Sequence, residues 1–226
     1  MPQPLRRWIP MVFEPEALDH RPKLAIQIAQ VSAAWAGVEV SMGLLLAIIL
    51  DTEARTGVAM YLALTGTAAQ RNVLMAAADA RLTDELNDSF SSLIDELRNR
   101  SGERNRIVHA QWAAPSEYQD ALINCSPDNT VRDVAEAYGL FLATGLQGAT
   151  PSQAFVDNLL IYKDQDFTQI TVRISALRHN IETFSHRVSE AHAKRQALAD
   201  ALMKRPPRDA SEPPQGGSQT KPEEPS

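Results

Sequence analysis

The stretch ERNRIVHAQW, residues 103–112, sets Arg104, Asn105, Arg106 and His109 within six positions and ends in Trp112. Those side-chain types suit metal-independent cleavage of an RNA phosphodiester. Near neutral pH an imidazole takes the proton of a 2′-hydroxyl or gives one to the departing 5′-oxygen, and a guanidinium neutralises the charge that builds on phosphorus. Asn105 would hold the phosphate or orient the histidine. One histidine performs only one of the two proton transfers at a time, so two copies meeting at a symmetric interface would supply both. The plainer reading is a buried or interfacial polar pair, closed by a carboxylate such as Glu39.

Helix geometry decides which of these side chains meet. At about 100° per residue, Asn105, His109 and Trp112 share a face, whereas Arg104 lies about 140° from His109 on a regular helix. The Ser101-Gly102 pair therefore matters. A break there, with Ser101 as cap, would put Arg104 and Asn105 in the first turns of a new helix, beside unpaired N–H groups that favour a phosphate.

Arginine-to-histidine spacing alone is weak evidence, because Arg187 with His192 and Arg173 with His179 have it too. Asn105, the Ile107-Val108 pair and Trp112 set the first copy apart. With those residues in view the chain resembles the HEPN superfamily, all-helical domains marked by an Arg-polar-x(3–5)-His motif. Arg104 to His109 fits it, with asparagine as the polar residue. The long first helix bearing Trp35 and Glu39 and the long final helix also look like bacterial members of that family, over roughly residues 20–200. The resemblance implies an α-helical bundle, a homodimer, and RNA cleavage without metal or cofactor in bacterial defence or toxin–antitoxin systems, with an antitoxin or other protein as partner. It assigns Arg104, Asn105 and His109 to the active site. Members without nuclease activity exist, so the alternative is a non-catalytic dimerisation or interaction module that binds a protein partner or a nucleotide.

Around the motif, Arg98, Arg100 and Arg106 form a basic cluster diluted by Glu96 and Glu103. This is where an RNA strand would lie, although a solvated helix face explains it more simply. Trp112, Phe90 and Tyr118 could stack on bases, with core packing the plainer role of the first two. Glu39 is expected to satisfy an arginine, Arg104 or Arg71. His179, Glu182, His186 and Glu190 are spaced for one helix face, but no second helix carries a matching Glu-x-x-His pair. They read as an exposed charged face and not as a metal site. Cys125, the single cysteine, reads as structural.

The elements that must position the motif are mostly helical. Leu24, Ile28, Val31, Trp35, Val38, Met42, Leu45 and Ile49 alternate four and three apart, which predicts a helix of about 40 Å that begins at Pro22 and ends at Asp51-Thr52. Shorter helices follow over 54–65, with Gly57 as a weak point, and over 68–81, capped by Thr67. Thr83 is expected to cap the helix carrying Leu86, Phe90, Leu93 and Leu97. From Ile170 to Ala191 the apolar residues repeat at heptad spacing, and Leu198 and Leu202 resume the pattern. Between these helices, Ala121 to Cys125 and Leu159 to Tyr162 could pair as strands, while Thr130 with Asp133 could cap a helix.

The fold class read from these patterns is all-α: an up-and-down bundle with two long helices and a small mixed insertion over 113–165, for which a β-hairpin is one reading. Residues 1–19 read as an N-terminal extension, 20–203 as the bundle domain and 204–226 as a disordered tail. From Arg205 onward six prolines, two glycines and many charges leave almost nothing apolar to offset ordering.

Composition limits the function classes. The 226 residues carry a net charge of −6, against a broad nucleic-acid-binding surface, so any RNA contact is local. One cysteine permits neither an intrachain disulfide nor a cysteine metal cluster and suits the cytoplasm. Residues 33–50 are apolar enough to suggest a membrane span, but Glu39 lies inside, and a buried helix is the better account. The chain lacks a Gly-rich phosphate loop, a Gly-x-Ser-x-Gly elbow and a His-Glu-x-x-His pair.

Overall fold

The computed structural model describes residues 1–126 and 151–204. The described residues up to 190 belong to one compact unit and residues 191–204 to a second. The proposed Thr130 cap and the tail from residue 205 lie outside the described residues.

Helix α1 spans Pro22–Leu50, and its buried side chains Leu24, Val31, Trp35, Val38, Met42, Leu45 and Ile49 are the stripe read from the sequence. Pro22 occupies the first turn, where a missing N–H costs nothing. Asp51 ends the helix in the left-handed region at φ 55°, its N–H bonding to the carbonyls of Ala47 and Ile48, and the N–H of Thr52 closes onto Ala47 at 3.0 Å. By length and composition α1 could cross a membrane, and half of its most apolar window is buried inside the chain.

Helix α2, Ala54–Ala63, crosses α1 closely. A Cβ on Gly57 would fall 2.4 Å from the Ala47 Cβ and 2.5 Å from its Cα. The glycine that looked like a weak point of the helix is therefore the condition of the crossing. Helix α3, Thr67–Arg81, has Gly66 at its cap at φ 88°, so Thr67 is its first residue and not its cap. Helix α4, Asp84–Val108, has Thr83 at the expected cap position, but the hydroxyl makes no capping bond, and Asp84 and Glu85 supply the acidic first turn.

The main departure from the sequence reading is in α4, which runs through Ser101-Gly102 without a break. Glycine weakens a helix by about 1 kcal/mol but does not end one that is held on both sides. Here Arg100 bridges to Glu103 at 2.8 Å across the Ser-Gly pair, and Arg173 of the final helix reaches Glu103 at 3.1 Å. That final helix, which follows a one-turn helix α5 (Gln153–Asp157), is α6, Asp164–Met203. It buries Phe167, Ile170, Ile174, Leu177, Ile181, Phe184 and Val188, whereas Leu198 and Leu202, beyond residue 190, are exposed.

Four strands form a small antiparallel sheet in the order β1-β4-β3-β2: β1 (Gln3–Pro4), β2 (Gln111–Ala113), β3 (Ala121–Cys125) and β4 (Leu160–Lys163). The two apolar runs do pair, with Leu122 opposite Tyr162 and Ile123 opposite Ile161. All five residues of β3 are buried, so both faces of the strand are covered. Ile123 and Cys125 contribute to a core with Leu5, Ile9, Phe155 and Leu159. Residues 3–9, read as part of an extension, thus add an edge strand and two core side chains. Trp112, Tyr162 and Phe167 form an aromatic cluster with ring centroids 5.3–5.9 Å apart. The chain is a mostly helical protein with this small mixed element.

Candidate functional site: the end of helix α4 and a cleft between helices

Because α4 is continuous, Arg104 lies mid-helix and the expected phosphate-binding helix start at Ser101 does not exist. Arg104 and Asn105 are half-buried and bond each other, Nη1 donating to Oδ1 at 2.9 Å. The Arg104 Nε is buried with no hydrogen-bond partner among the described residues. His109 is not one turn further inside the helix but its C-terminal cap, at φ −101° and ψ 5°, with its N–H closing onto the Asn105 carbonyl at 3.1 Å. Its imidazole is exposed and has no hydrogen bond among the described residues. Trp112 does not share a helix face with His109, because the helix has ended and Trp112 sits buried in β2, edge-on to Tyr162.

The sheet holds this helix end. Asn124, 3% exposed, donates from Nδ2 to the Arg106 carbonyl at 2.7 Å, satisfying one of the carbonyls that a helix C-terminus leaves without a partner. Val108, Ala110, Gln111 and Trp112, on both sides of His109, line an apolar cavity of about 350 Å³ together with Phe13 and Leu18.

The basic cluster is not assembled as one surface. Arg100 is bonded to Glu103 and lies 4.0 Å from Glu96, and Glu103 is shared with Arg173, so its charge is already compensated. Arg106 is exposed and its Nε reaches only the Gly102 carbonyl, at 3.4 Å. Arg98, itself exposed, lines a separate cleft between the helices. Phe90 is buried against Phe184 at 5.8 Å, and Tyr118 is half-buried against the sheet core. His179 and His186 lie on the exposed side of α6, and no group of three potential metal ligands occurs among the described residues. Cys125 is buried, with its thiol against the Ser126 carbonyl.

That cleft, open to solvent at Thr67, Ala68 and Arg98, holds about 120 Å³ and is bounded by four helices: Trp35 and Glu39 of α1, Tyr61 of α2, Arg71 of α3, and Arg98 and Ser101 of α4. Glu39 accepts from the Trp35 indole at 2.9 Å, so the expected arginine partner is replaced by a neutral donor on its own helix. Burial, and next the Glu39 carboxylate, push the Tyr61 phenol up to about 12. No sequence pattern announced this cleft, since its polar groups come from four different helices that folding brings together. Neither it nor the apolar cavity is lined by Arg104, Asn105 or His109.

Comparison with family models, curated proteins and solved structures returned no match.

Proposed function

We propose that this chain is a metal-independent endoribonuclease of the HEPN type, working as a cytoplasmic homodimer in bacterial defence or a toxin–antitoxin pair. The observation that carries the reading is His109: its imidazole stands exposed at the end of α4, without a bond partner among the described residues, one turn beyond the Arg104-Asn105 pair. The apolar cavity flanked by Val108 and Ala110 offers a place for a nucleobase beside it. With no helix start to bind phosphate, the guanidinium of Arg104 carries that task. One His109 takes the 2′-hydroxyl proton as the 2′-oxygen bonds to phosphorus. The His109 of a second copy protonates the departing 5′-oxygen, leaving a 2′,3′-cyclic phosphate and a 5′-hydroxyl end.

The test is incubation of the purified protein with RNA in excess chelator. Cyclic-phosphate ends are expected, with the rate about 10²- to 10⁴-fold lower in His109→Ala and strongly reduced in Arg104→Ala. Cleavage that persists in both variants, or that disappears only in chelator, sinks the mechanism. The second reading, a non-catalytic interaction module, is favoured by the Arg104–Asn105 bond, which ties the motif residues to each other. It expects no turnover on any RNA.

A further inference from the structure

The cavity between α1, α2, α3 and α4 contains donors that the rest of the protein does not use. Among the described residues, Arg71 and Arg98 make no ion pair and no hydrogen bond, although both line it. Tyr61 is 4% exposed, yet its hydroxyl, which also lines the cavity, has no hydrogen-bond partner there. The phenol is therefore free to donate one hydrogen bond to a ligand in that space. The α3 N-terminus faces the same space: Thr67 and Ala68 of its first turn line it, and no side chain caps that helix. Unpaired N–H groups and the positive helix end add to the two guanidiniums.

Glu39 opposes these donors with one negative charge. Its Oε1 takes the Trp35 indole, and its second oxygen has no bond among the described residues. That oxygen would repel a fully deprotonated anion but can accept a hydrogen bond from an anion that keeps a proton. The space is small, about 120 Å³ against the roughly 300–1,000 Å³ of pockets for drug-sized molecules, which suits a small anion. Independently of the RNA-cleavage reading, we infer that this cavity binds inorganic phosphate, held by Arg71, Arg98, the Tyr61 hydroxyl and the start of α3, with the P–OH proton donated to Glu39. The phenol remains a donor at physiological pH, since burial and Glu39 keep it protonated.

Calorimetric titration of the full chain with inorganic phosphate at neutral pH tests this, with sulfate and glycerol phosphate as parallel arms. Saturable binding of one phosphate per chain is expected, with sulfate and the bulkier ester about tenfold weaker or more. Arg98→Ala, at an exposed helix position that tolerates truncation, and Arg71→Ala should each lower phosphate affinity about tenfold or more while the thermal transition confirms folding. Glu39→Gln, whose amide can donate to sulfate, should narrow the preference for phosphate. No saturable phosphate binding, equal affinity for sulfate, or affinity unchanged in both arginine variants overturns the assignment.

Discussion

The end of α4 and the cleft between α1, α2, α3 and α4 present opposite kinds of polar site. Arg104, Asn105 and His109 are neighbours in the chain, and folding separates them: the first two bond each other on the helix side, and the histidine stands alone at its tip. Tyr61, Arg71, Arg98 and Glu39 are scattered through the sequence, and folding brings them to one small space. Adjacency in sequence is thus a poor guide to adjacency of function on a helix, where five residues turn a side chain by about 140°. A second copy would have to complete the first site, while the second is complete within one chain.

The largest effect that could break this comparison is a crossed one. His109→Ala is expected to lower RNA cleavage by about 10²-fold or more, a far larger factor than any change it makes in phosphate affinity. For Arg71→Ala the ratio should be reversed. Equal effects of either variant on both readouts would show one coupled site.

Gly57→Ala comes next. The new methyl would collide with Ala47, including its backbone, so α1 and α2 must move apart. Overpacking of this kind costs about 3 kcal/mol, which for a chain of this size lowers Tm by roughly 10 °C. Glu39 and Tyr61 stand on those two helices, so phosphate affinity should fall with stability, whereas α4, which packs on α6 through Phe90 and Phe184, keeps its end. A thermal melt indistinguishable from wild type would remove the close crossing from the account of the cavity.

How far the sequence reveals each region follows from the range of the interactions that build it. The stripe from Leu24 to Ile49 specifies α1 because burial against any partner requires that period, and the runs at 121–125 and 159–162 specify strands for a similar reason. Ser101-Gly102 misleads because the residues that keep α4 whole act across it and from α6: Glu103 holds Arg100 on one side and Arg173 on the other. Trp112 misleads because helical spacing continues past the point where Asn124, a strand residue, takes the Arg106 carbonyl. The cavity leaves no local trace at all. Arg71 and Arg98 look like ordinary surface cations until the tertiary structure places Tyr61 and the α3 start beside them.

Two tyrosines separate the regions by pH. Tyr61 borders the cleft and Tyr162 belongs to strand β4, and burial, the largest cause for each, pushes both phenols up to about 12. In the unfolded chain a tyrosine ionises near 10, so the folded state binds more protons between about pH 10 and 12. The stability they contribute is complete below about pH 10 and is lost as pH rises towards 12, at most about 2–3 kcal/mol for each. Tyrosinate absorbance should show Tyr61 and Tyr162 titrating late or only on unfolding. Phosphate beside Tyr61 should raise its step further and leave that of Tyr162 in place, with Tyr61→Phe identifying which is which. A phosphate shift that survives Tyr61→Phe would place the anion elsewhere.

The smallest effect bears on the continuity of α4. A Cβ on Gly102 meets nothing within 4 Å, and Gly102 is not among the described residues at positive φ, so alanine fits without strain. Replacing a mid-helix glycine by alanine stabilises by about 0.5–1 kcal/mol, a rise in Tm of roughly 2–3 °C. If the helix had to break at Ser101-Gly102 to turn Arg104 towards the scissile phosphate, the same substitution would slow cleavage as it raised stability. With α4 continuous in the working protein, RNA cleavage by Gly102→Ala stays at the wild-type rate while the melt moves upward. A slower rate with a higher Tm would instead make the glycine a hinge, and the arginine and histidine partners within one chain after all.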